Sequence, residues 1–124
     1  MNSVRIALAQ INATVGDLAG NENKIVGAIG RARDLGADLV ALPELAVPGY
    51  PPEDLLLKPG FVAANQACLE RIARATTGTT AIVGFCHRDD DLYNAAAVLH
   101  AGRVEQPRRL REVGHDLRLG IGES

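Results

Sequence analysis

The first 42 residues carry the pattern that most restricts the fold. An apolar stretch, Val4–Ile11, predicts a strand that is buried on at least one face. Turn residues follow over Asn12–Gly20, and Asn21 is the predicted N-cap of a helix that runs to about Leu35. Asp38–Leu42 is then a second short apolar strand. A strand, a helix and a strand in this order predict a parallel crossover unit, and therefore an α/β fold.

Helical spacing of apolar residues predicts which face of each helix packs on the sheet. In the first helix, which Gly36 is expected to end, this face is Ile25, Ala28, Ile29 and Ala32. A second helix is predicted from about Phe61 to Ala75, with Gly78 behind it. Its predicted apolar stripe is Phe61, Ala64, Cys68, Ile72 and Ala75.

Two further strands are predicted after the second helix. Thr80–Cys86 and Tyr93–His100 are apolar, and the turn between them at Asp89–Asp91 favours an antiparallel hairpin. Ala101–Arg103 is a second tight turn. Beyond it the pattern weakens, and only Leu117–Ile121 has the character of a short strand.

Composition and charge exclude several classes of protein. The formal net charge is −2, from 13 basic and 15 acidic residues, whereas a nucleic-acid-binding domain normally carries a basic excess. No apolar run approaches the roughly 20 residues of a membrane span, and the N-terminus lacks the layout of a signal peptide. The two cysteines, Cys68 and Cys86, form neither a disulfide framework nor a metal cluster. We therefore expect a cytoplasmic protein with no metal and no nucleic-acid or membrane partner.

Glu44 is the residue best placed for chemistry. It follows a predicted buried strand, at the edge where open α/β sheets form their sites. The segment Pro43–Pro52 contains four prolines in ten residues, which hold the loop rigid. A rigid carboxylate partly screened from water is suited to general-base catalysis. The alternative is an ordinary solvated glutamate on a loop.

Five segments resemble, in the same order, motifs of the carbon–nitrogen hydrolase or nitrilase superfamily. They are Val4–Gln10, Asn21–Ile25, Leu42–Tyr50 (LPELAVPGY), Ile82–Phe85 and Leu92–Ala96. They resemble the family's first strand, the start of its first helix, its glutamate motif and its next two strands. The extension Gly49–Leu56 (GYPPEDLL) resembles a narrower branch, the glutaminase domains of glutamine-dependent NAD⁺ synthetases.

The resemblance implies part of a nitrilase-type αββα sandwich, with helices covering one face of a mixed sheet. It also implies a Glu–Lys–Cys site, in which the cysteine attacks an amide or nitrile carbon. The glutamate acts as general base, and the lysine steadies the charged tetrahedral intermediate. For the narrower branch the small-molecule substrate is glutamine, which yields glutamate and ammonia. No cofactor is implied for this step, because ATP is used by a separate synthetase domain.

The family's site residues carry over unevenly. Glu44 matches the general base, and Tyr50 stands where the narrower branch has a glutamine-binding tyrosine, although a core or rim tyrosine is an equal alternative. The lysine motif falls on Pro107–Leu110, where Arg109 is the nearest positional match. A planar guanidinium is not a simple replacement for an ammonium group, and no lysine follows Lys58.

The family's nucleophile has no counterpart. Leu117–Ile121 resembles the strand before the family's Cys-Glu motif, and either Gly122 or Ser124 takes the place of the cysteine. Cys68 lies on the apolar stripe of a helix, which is typical of a small core residue. Cys86 adjoins His87, but neighbours on a strand point to opposite faces. His100, His115 and the run Asp89–Asp91, which lacks calcium-loop spacing, are expected to have structural or solvent roles.

Two interpretations of function stay open. One is a carbon–nitrogen hydrolase lineage, in which 1–104 is the N-terminal part of the domain and 105–124 a divergent or compressed tail. The other is a truncated relative without catalysis, acting as an interaction domain or representing a gene fragment. Without the lysine and the cysteine we expect little or no glutaminase activity. A shortened sandwich would expose sheet surface, so we also expect a homo-oligomer.

Overall fold

Two helices and a mixed β-sheet make up the fold. The computed structural model describes residues 3–88 and 92–105, and the backbone of 108–112. In chain order the elements are β1 (Ile6–Leu8), α1 (Leu18–Asp34), β2 (Leu39–Ala41), a 3₁₀ turn (Glu53–Leu57), α2 (Phe61–Arg74), β3 (Thr80–Arg88), β4 (Leu92–His100), β5 (Arg103–Val104) and β6 (Arg108–Glu112).

The sheet begins with parallel strands and ends with antiparallel strands. β1, β2 and β3 lie side by side in parallel, as the crossover pattern of the first 42 residues predicts. β3 and β4 then form the predicted antiparallel hairpin. β5 and β6 both pair with the free side of β4. The mixed α/β architecture expected from the sequence is therefore confirmed.

The core lies between the two helices and one face of the sheet. Strand register brings residues of one face side by side, as in the row Ala7, Val40, Ala81 and Leu99. The predicted buried face of α1, including Ile25 and Ile29, packs against this side of the sheet. The core is almost entirely aliphatic, and Phe85 is its largest fully buried side chain. Helices thus cover one face, as the family resemblance implies.

The predicted N-cap of α1 is wrong. The helix begins at Leu18, and the capping residue is Asp17, whose carboxylate accepts a hydrogen bond from the N–H of Gly20 at 3.0 Å. Asn21 is instead fully buried within the first turns of the helix. The helix ends at Asp34, close to the predicted end. β1 and β2 are also shorter than predicted, with three residues each.

The predicted face of α2 is partly wrong, although its bounds agree to within one residue. Ala64 and Ala75 are exposed, whereas Cys68 and Ile72 are buried as expected. The buried face is rotated because a polar residue, Asn65, points into the protein and bonds the backbone of β3. Its full membership is Val62, Asn65, Cys68, Leu69, Ile72 and Ala73.

The last part of the chain adds a strand that the charged sequence does not predict. β6 pairs with β4 over Tyr93–Ala96 and continues the sheet beside β5. The tight turn before β5 is confirmed, with Ala101 and Gly102 at φ values of 53° and 78°. The predicted Asp89–Asp91 turn, His115 and the strand at Leu117–Ile121 lie outside the described residues.

The second face of the sheet is apolar and open along β1. The side chains of Val4, Ile6 and Leu8 alternate onto this face and are 68%, 56% and 79% exposed. By strand register, Leu8 stands beside Ala41 and Ile82. No helix among the described residues is long and apolar enough to cross a membrane.

Candidate active site

The predicted general base, Glu44, lies on a tight turn just beyond β2. The residue after it, Leu45, has a φ of 50°, a left-handed conformation that is uncommon for a residue with a side chain. The turn holds because Leu45 is buried and its carbonyl accepts a hydrogen bond from the N–H of Gly49 at 2.9 Å. Turn residues 45–49 are buried, whereas the Glu44 side chain is exposed.

The exposure of Glu44 corrects one expectation. Partial screening of its carboxylate from water was predicted, but the described residues cover the backbone of the turn and leave the side chain open. None of them hydrogen-bonds to the carboxylate. The described residues therefore fix where Glu44 is placed, and they leave its carboxylate accessible to a reacting molecule.

Gly84, in the middle of β3, allows the turn to lie directly on the sheet. An ideal Cβ at Gly84 would collide with the backbone nitrogen of Leu45 and lie 2.7 Å from the carbonyl oxygen of Pro43. It would also lie 2.9 Å from the carbonyl carbon of Glu44. The N–H of Val47 donates to the Gly84 carbonyl at 3.1 Å, so the turn replaces a neighbouring strand at this point. Only glycine permits so close an approach.

Asn21 ties the same turn to the loop between β1 and α1. Its amide nitrogen donates to the carbonyls of Thr14 and Val47 at 2.8 and 3.0 Å, and its amide oxygen accepts from the N–H of Thr14 at 2.7 Å. The bond to Val47 is buried and the two bonds to Thr14 are partly buried, where unpaired backbone groups are costly. Gly49 packs against Thr14 and Val15 so closely that a Cβ there would lie 2.6 Å from the Val15 Cα. The loop between β1 and α1 and the loop after β2 therefore jointly fix the position of Glu44.

Asn65 plays a similar part farther along β3. Its amide nitrogen donates to the carbonyl of Cys86 at 2.6 Å, and its oxygen accepts from the N–H of Cys86 at 3.3 Å. These two bonds satisfy the backbone of Cys86, which lies beyond Ile82, where the described pairing of β3 with β2 ends. On β4, Asn94 is the register partner of Cys86; it is buried, and neither polar side-chain atom has a hydrogen-bond partner among the described residues.

Neither thiol has the properties of a nucleophile. Burial raises the pKa of Cys86 to about 11, although nearby Arg88 lowers it. Burial and the neighbouring Glu22 carboxylate raise the pKa of Cys68 to about 12. A reactive cysteine needs the opposite shift, because the thiolate is the attacking form. Cys86 packs in one apolar cluster with Leu45, but its thiol stays protonated near neutral pH.

Tyr50 and Arg109, the other predicted site residues, lie in different places. Tyr50 follows the Glu44 turn on the same loop and is 46% exposed. Arg109 falls in β6, where its backbone pairs with Ala95. Because β4 separates β3 from β6, the backbone of Arg109 is about two strand spacings, or about 10 Å, from β3.

The histidines do not add a catalytic group to the turn. His87 stacks at a tilt on Phe85, with ring centroids 5.7 Å apart, and it pairs in register with Tyr93 rather than facing Cys86. His100, expected to have a structural or solvent role, shares a 2.9 Å hydrogen bond with the hydroxyl of Thr80. In the described ranges no three His, Cys, Asp or Glu side chains lie close enough to hold a metal ion.

Comparison with known proteins agrees with this geometry. The model of the carbon–nitrogen hydrolase family matches residues 5–111, which include the Glu44 turn and the strands beneath it. The chain belongs to the carbon–nitrogen hydrolase family. The family inferred from its five short motifs is therefore confirmed.

Several relatives of this carbon–nitrogen hydrolase chain are glutamine-dependent NAD(+) synthetases. The one from Xylella fastidiosa is 52% identical over 112 residues, which are 89% of this chain and 21% of that protein. The one from Thermotoga maritima is 45% identical over 106 residues, or 84% of this chain and 18% of that protein. The chain thus spans about a fifth of the length of the curated relatives it matches.

Solved structures show the same architecture. The glutamine-dependent NAD(+) synthetase from Cytophaga hutchinsonii superimposes with a TM-score of 0.81 at 29% identity, over 86% of this chain and 18% of that one. A mutant of an amidase from Nesterenkonia superimposes with a TM-score of 0.73 at 27% identity, over 86% of this chain and 42% of that one. That amidase mutant carries the acetamide moiety of fluoroacetamide on its active site cysteine.

The sequence did not predict the roles of Asn21, Gly84 and Asn65, of which the first two support the turn and the third pairs the backbone of Cys86. Gly84 has a readable signal, because an isolated glycine inside an apolar strand indicates close approach of another backbone. Asn21 and Asn65 stand four and three residues before the core residues Ile25 and Cys68. A polar residue in helical phase with a core face is a candidate for a buried hydrogen bond.

Proposed function

We propose that this chain is the general-base part of an amide-hydrolysing site of the glutaminase type, with Glu44 as the base. The observation that carries the proposal is the position of Glu44, on a strained turn packed against Gly84 at the carboxyl end of β2. In this role the carboxylate takes a proton from the nucleophile and later returns it to the leaving ammonia. The proposed substrate is glutamine, and Tyr50 on the same loop is its proposed contact.

The chemistry requires two groups besides Glu44. A nucleophile must form the covalent acyl intermediate, and a cation or hydrogen-bond donor must stabilise the oxyanion. The amidase mutant that carries the acetamide moiety of fluoroacetamide on its active site cysteine supports a cysteine in the first role. Cys68 and Cys86 are unsuited to it, because burial raises the pKa of both thiols. We therefore place the nucleophile outside these 124 residues, and we assign no more than a doubtful substitute role to Arg109.

The catalytic part of this proposal predicts that the 124-residue chain alone releases no ammonia from glutamine. The measurement is enzyme-coupled ammonia detection over a range of protein concentrations, with Glu44→Ala as the matched variant. Ammonia release that Glu44→Ala abolishes would overturn the proposed absence of a nucleophile.

Hydrolysis itself is proposed to need no cofactor, with ATP confined to a separate synthetase domain. The two unpaired thiols suit a reducing compartment, and the proposed location is the cytoplasm.

A second candidate function, self-association, rests on the open apolar face along β1. The exposed apolar residues of this face are Val4, Ile6 and Leu8. Proteins normally cover such a surface at the edge of a sheet, and we propose that a second copy of the chain covers this one. Leu8→Glu is expected to shift the chain to monomer in light scattering. Leu35→Glu, at a leucine 74% exposed on the helical side, is the control and should leave the assembly unchanged. A wild-type chain that is monomeric at high concentration would refute this proposal.

A further inference from the structure

A cavity of about 450 Å³ opens at the N-terminal end of α2. Its walls are residues 56–60, the first two turns of α2, and the end of β3 at His87 and Arg88. None of these residues belongs to the Glu44 turn. The volume falls in the range of about 300–1,000 Å³ that is usual for small-molecule pockets. The cavity is therefore a separate candidate binding site.

The described residues that line this cavity include basic but no acidic side chains. Lys58 and Arg88 are exposed, and neither forms an ion pair or side-chain hydrogen bond with another described residue. His87 also lines the cavity, but its Nδ1 has no accessible surface and is therefore not open to a ligand there. Two full positive charges thus surround the same space. Such a set favours an anion with several oxygen acceptors.

The backbone of α2 adds further donors. This 14-residue helix has Gly60 as its N-cap, which has no side chain to bond the first turn. Within the described chain the N–H groups of Val62 and Ala63 have no acceptor, and both residues line the cavity. Free N–H groups and the positive end of a helix dipole attract phosphate and similar anions. Backbone and side chains therefore favour the same kind of ligand.

We propose that this cavity binds the phosphate group of a small phosphorylated molecule. Lys58 and Arg88 supply charge, and the amides of Val62 and Ala63 donate hydrogen bonds. The cavity is much larger than a phosphate ion, and leucine and proline side chains form part of its wall. That wall suits the organic part of the ligand. The proposal is independent of the role of Glu44.

The test is an NMR titration of the ¹⁵N-labelled 124-residue chain with inorganic phosphate at constant ionic strength. Saturable shifts are expected at the amides of Val62 and Ala63, and weaker effects with acetate. The double variant Lys58→Gln/Arg88→Gln should bind at least fivefold more weakly. The control is Arg74→Gln, at the exposed opposite end of α2, and it should bind phosphate as the wild type does.

Each other outcome counts against the proposal. Shifts no larger than those in sodium chloride, or an equal loss in Arg74→Gln, would show general charge attraction without a site. Acetate binding as tightly as phosphate would overturn the assignment to phosphate. Thermal unfolding supplies a second readout, because phosphate should raise the midpoint of the wild type more than that of the double variant. Equal increases in both proteins would refute the site as well.

Discussion

Replacing Gly84 with alanine is expected to disturb the Glu44 turn. The added Cβ would lie 2.7 Å from the Pro43 carbonyl oxygen and 2.9 Å from the Glu44 carbonyl carbon, and would collide with the Leu45 nitrogen. All three atoms belong to backbone, so no side chain can rotate away. The turn must therefore move off β3, and the 3.1 Å hydrogen bond from the Val47 N–H to Gly84 is lost or stretched.

The expected cost follows from these two effects. Overpacking costs about 1–3 kcal/mol and the lost hydrogen bond about 0.5–1.5 kcal/mol, so the free energy of unfolding should fall by about 1.5–4.5 kcal/mol. That is a large share of the ~5–15 kcal/mol that stabilises a typical domain. With a urea dependence of about 2 kcal/mol per molar, the unfolding midpoint of Gly84→Ala should fall by about 1–2 M.

The matched control is Gly27→Ala on α1. There the nearest atom to an added Cβ is a guanidinium nitrogen of Arg31 at 3.6 Å, an ordinary contact on a flexible side chain. Alanine inside a helix should raise stability by about 0.5–1 kcal/mol. The same methyl group is therefore expected to have opposite effects at the two positions in urea unfolding followed by circular dichroism. A Gly84→Ala protein within about 0.5 kcal/mol of wild type would refute the close approach of the turn to β3.

Two further predictions concern β3 and the thiols. Asn65→Ala should lower the free energy of unfolding by about 2–4 kcal/mol, because it leaves the backbone N–H and carbonyl of Cys86 unpaired. The control is Glu70→Ala, at an exposed residue of the same helix, which should change the free energy of unfolding little. Equal effects of the two substitutions would contradict this reasoning. The pKa values of Cys68 and Cys86, about 12 and about 11, lie above the ordinary 9.0, so the folded state keeps protons that the unfolded state loses. Stability should therefore fall as pH rises from about 9 to about 12, measured by urea unfolding. In the double variant Cys68→Ala/Cys86→Ala, stability should decrease less over the same pH range. An equal decrease in the variant and the wild type would show that the thiols do not contribute.

The architecture of the first 42 residues was predictable because apolar spacing is a local signal. β1, α1 and β2 each have a short period that can be read without knowing what they pack against. The antiparallel β3–β4 hairpin and the tight turn at Ala101 and Gly102 were predictable for the same reason. Position after a buried strand also singled out Glu44, and its exposure agrees with the alternative of a solvated glutamate on a loop.

The parts that could not be predicted depend on distant contacts. Asn21 was read as a helix cap because Asn is a good capping residue, but its amide instead bonds Val47, which lies 26 residues away. The face of α2 was misassigned because Asn65 is buried by a bond to Cys86, which lies 21 residues away. β6 is charged and has no strand pattern, and only pairing with β4 makes it a strand. Such features follow from long-range hydrogen bonding, which periodicity does not contain.

The role of Glu44 is tested most directly in a chimera. Residues 5–104 of this chain would replace the matching segment of the Xylella fastidiosa synthetase, which is 52% identical over 112 residues. This boundary leaves the later residues of the relative in place, and therefore excludes Arg109. Glu70→Gln, at an exposed glutamate on α2, is the matched control for a lost carboxylate.

The chimera is expected to release ammonia from glutamine, and Glu70→Gln is expected to do so equally well. Glu44→Gln should lower kcat by about 10²–10⁴-fold, the usual contribution of a general base, while the chimera keeps its thermal unfolding midpoint. Glu44→Gln with a kcat within about threefold of the unmodified chimera would contradict the assignment of Glu44 as the base, because an essential proton transfer cannot survive that change.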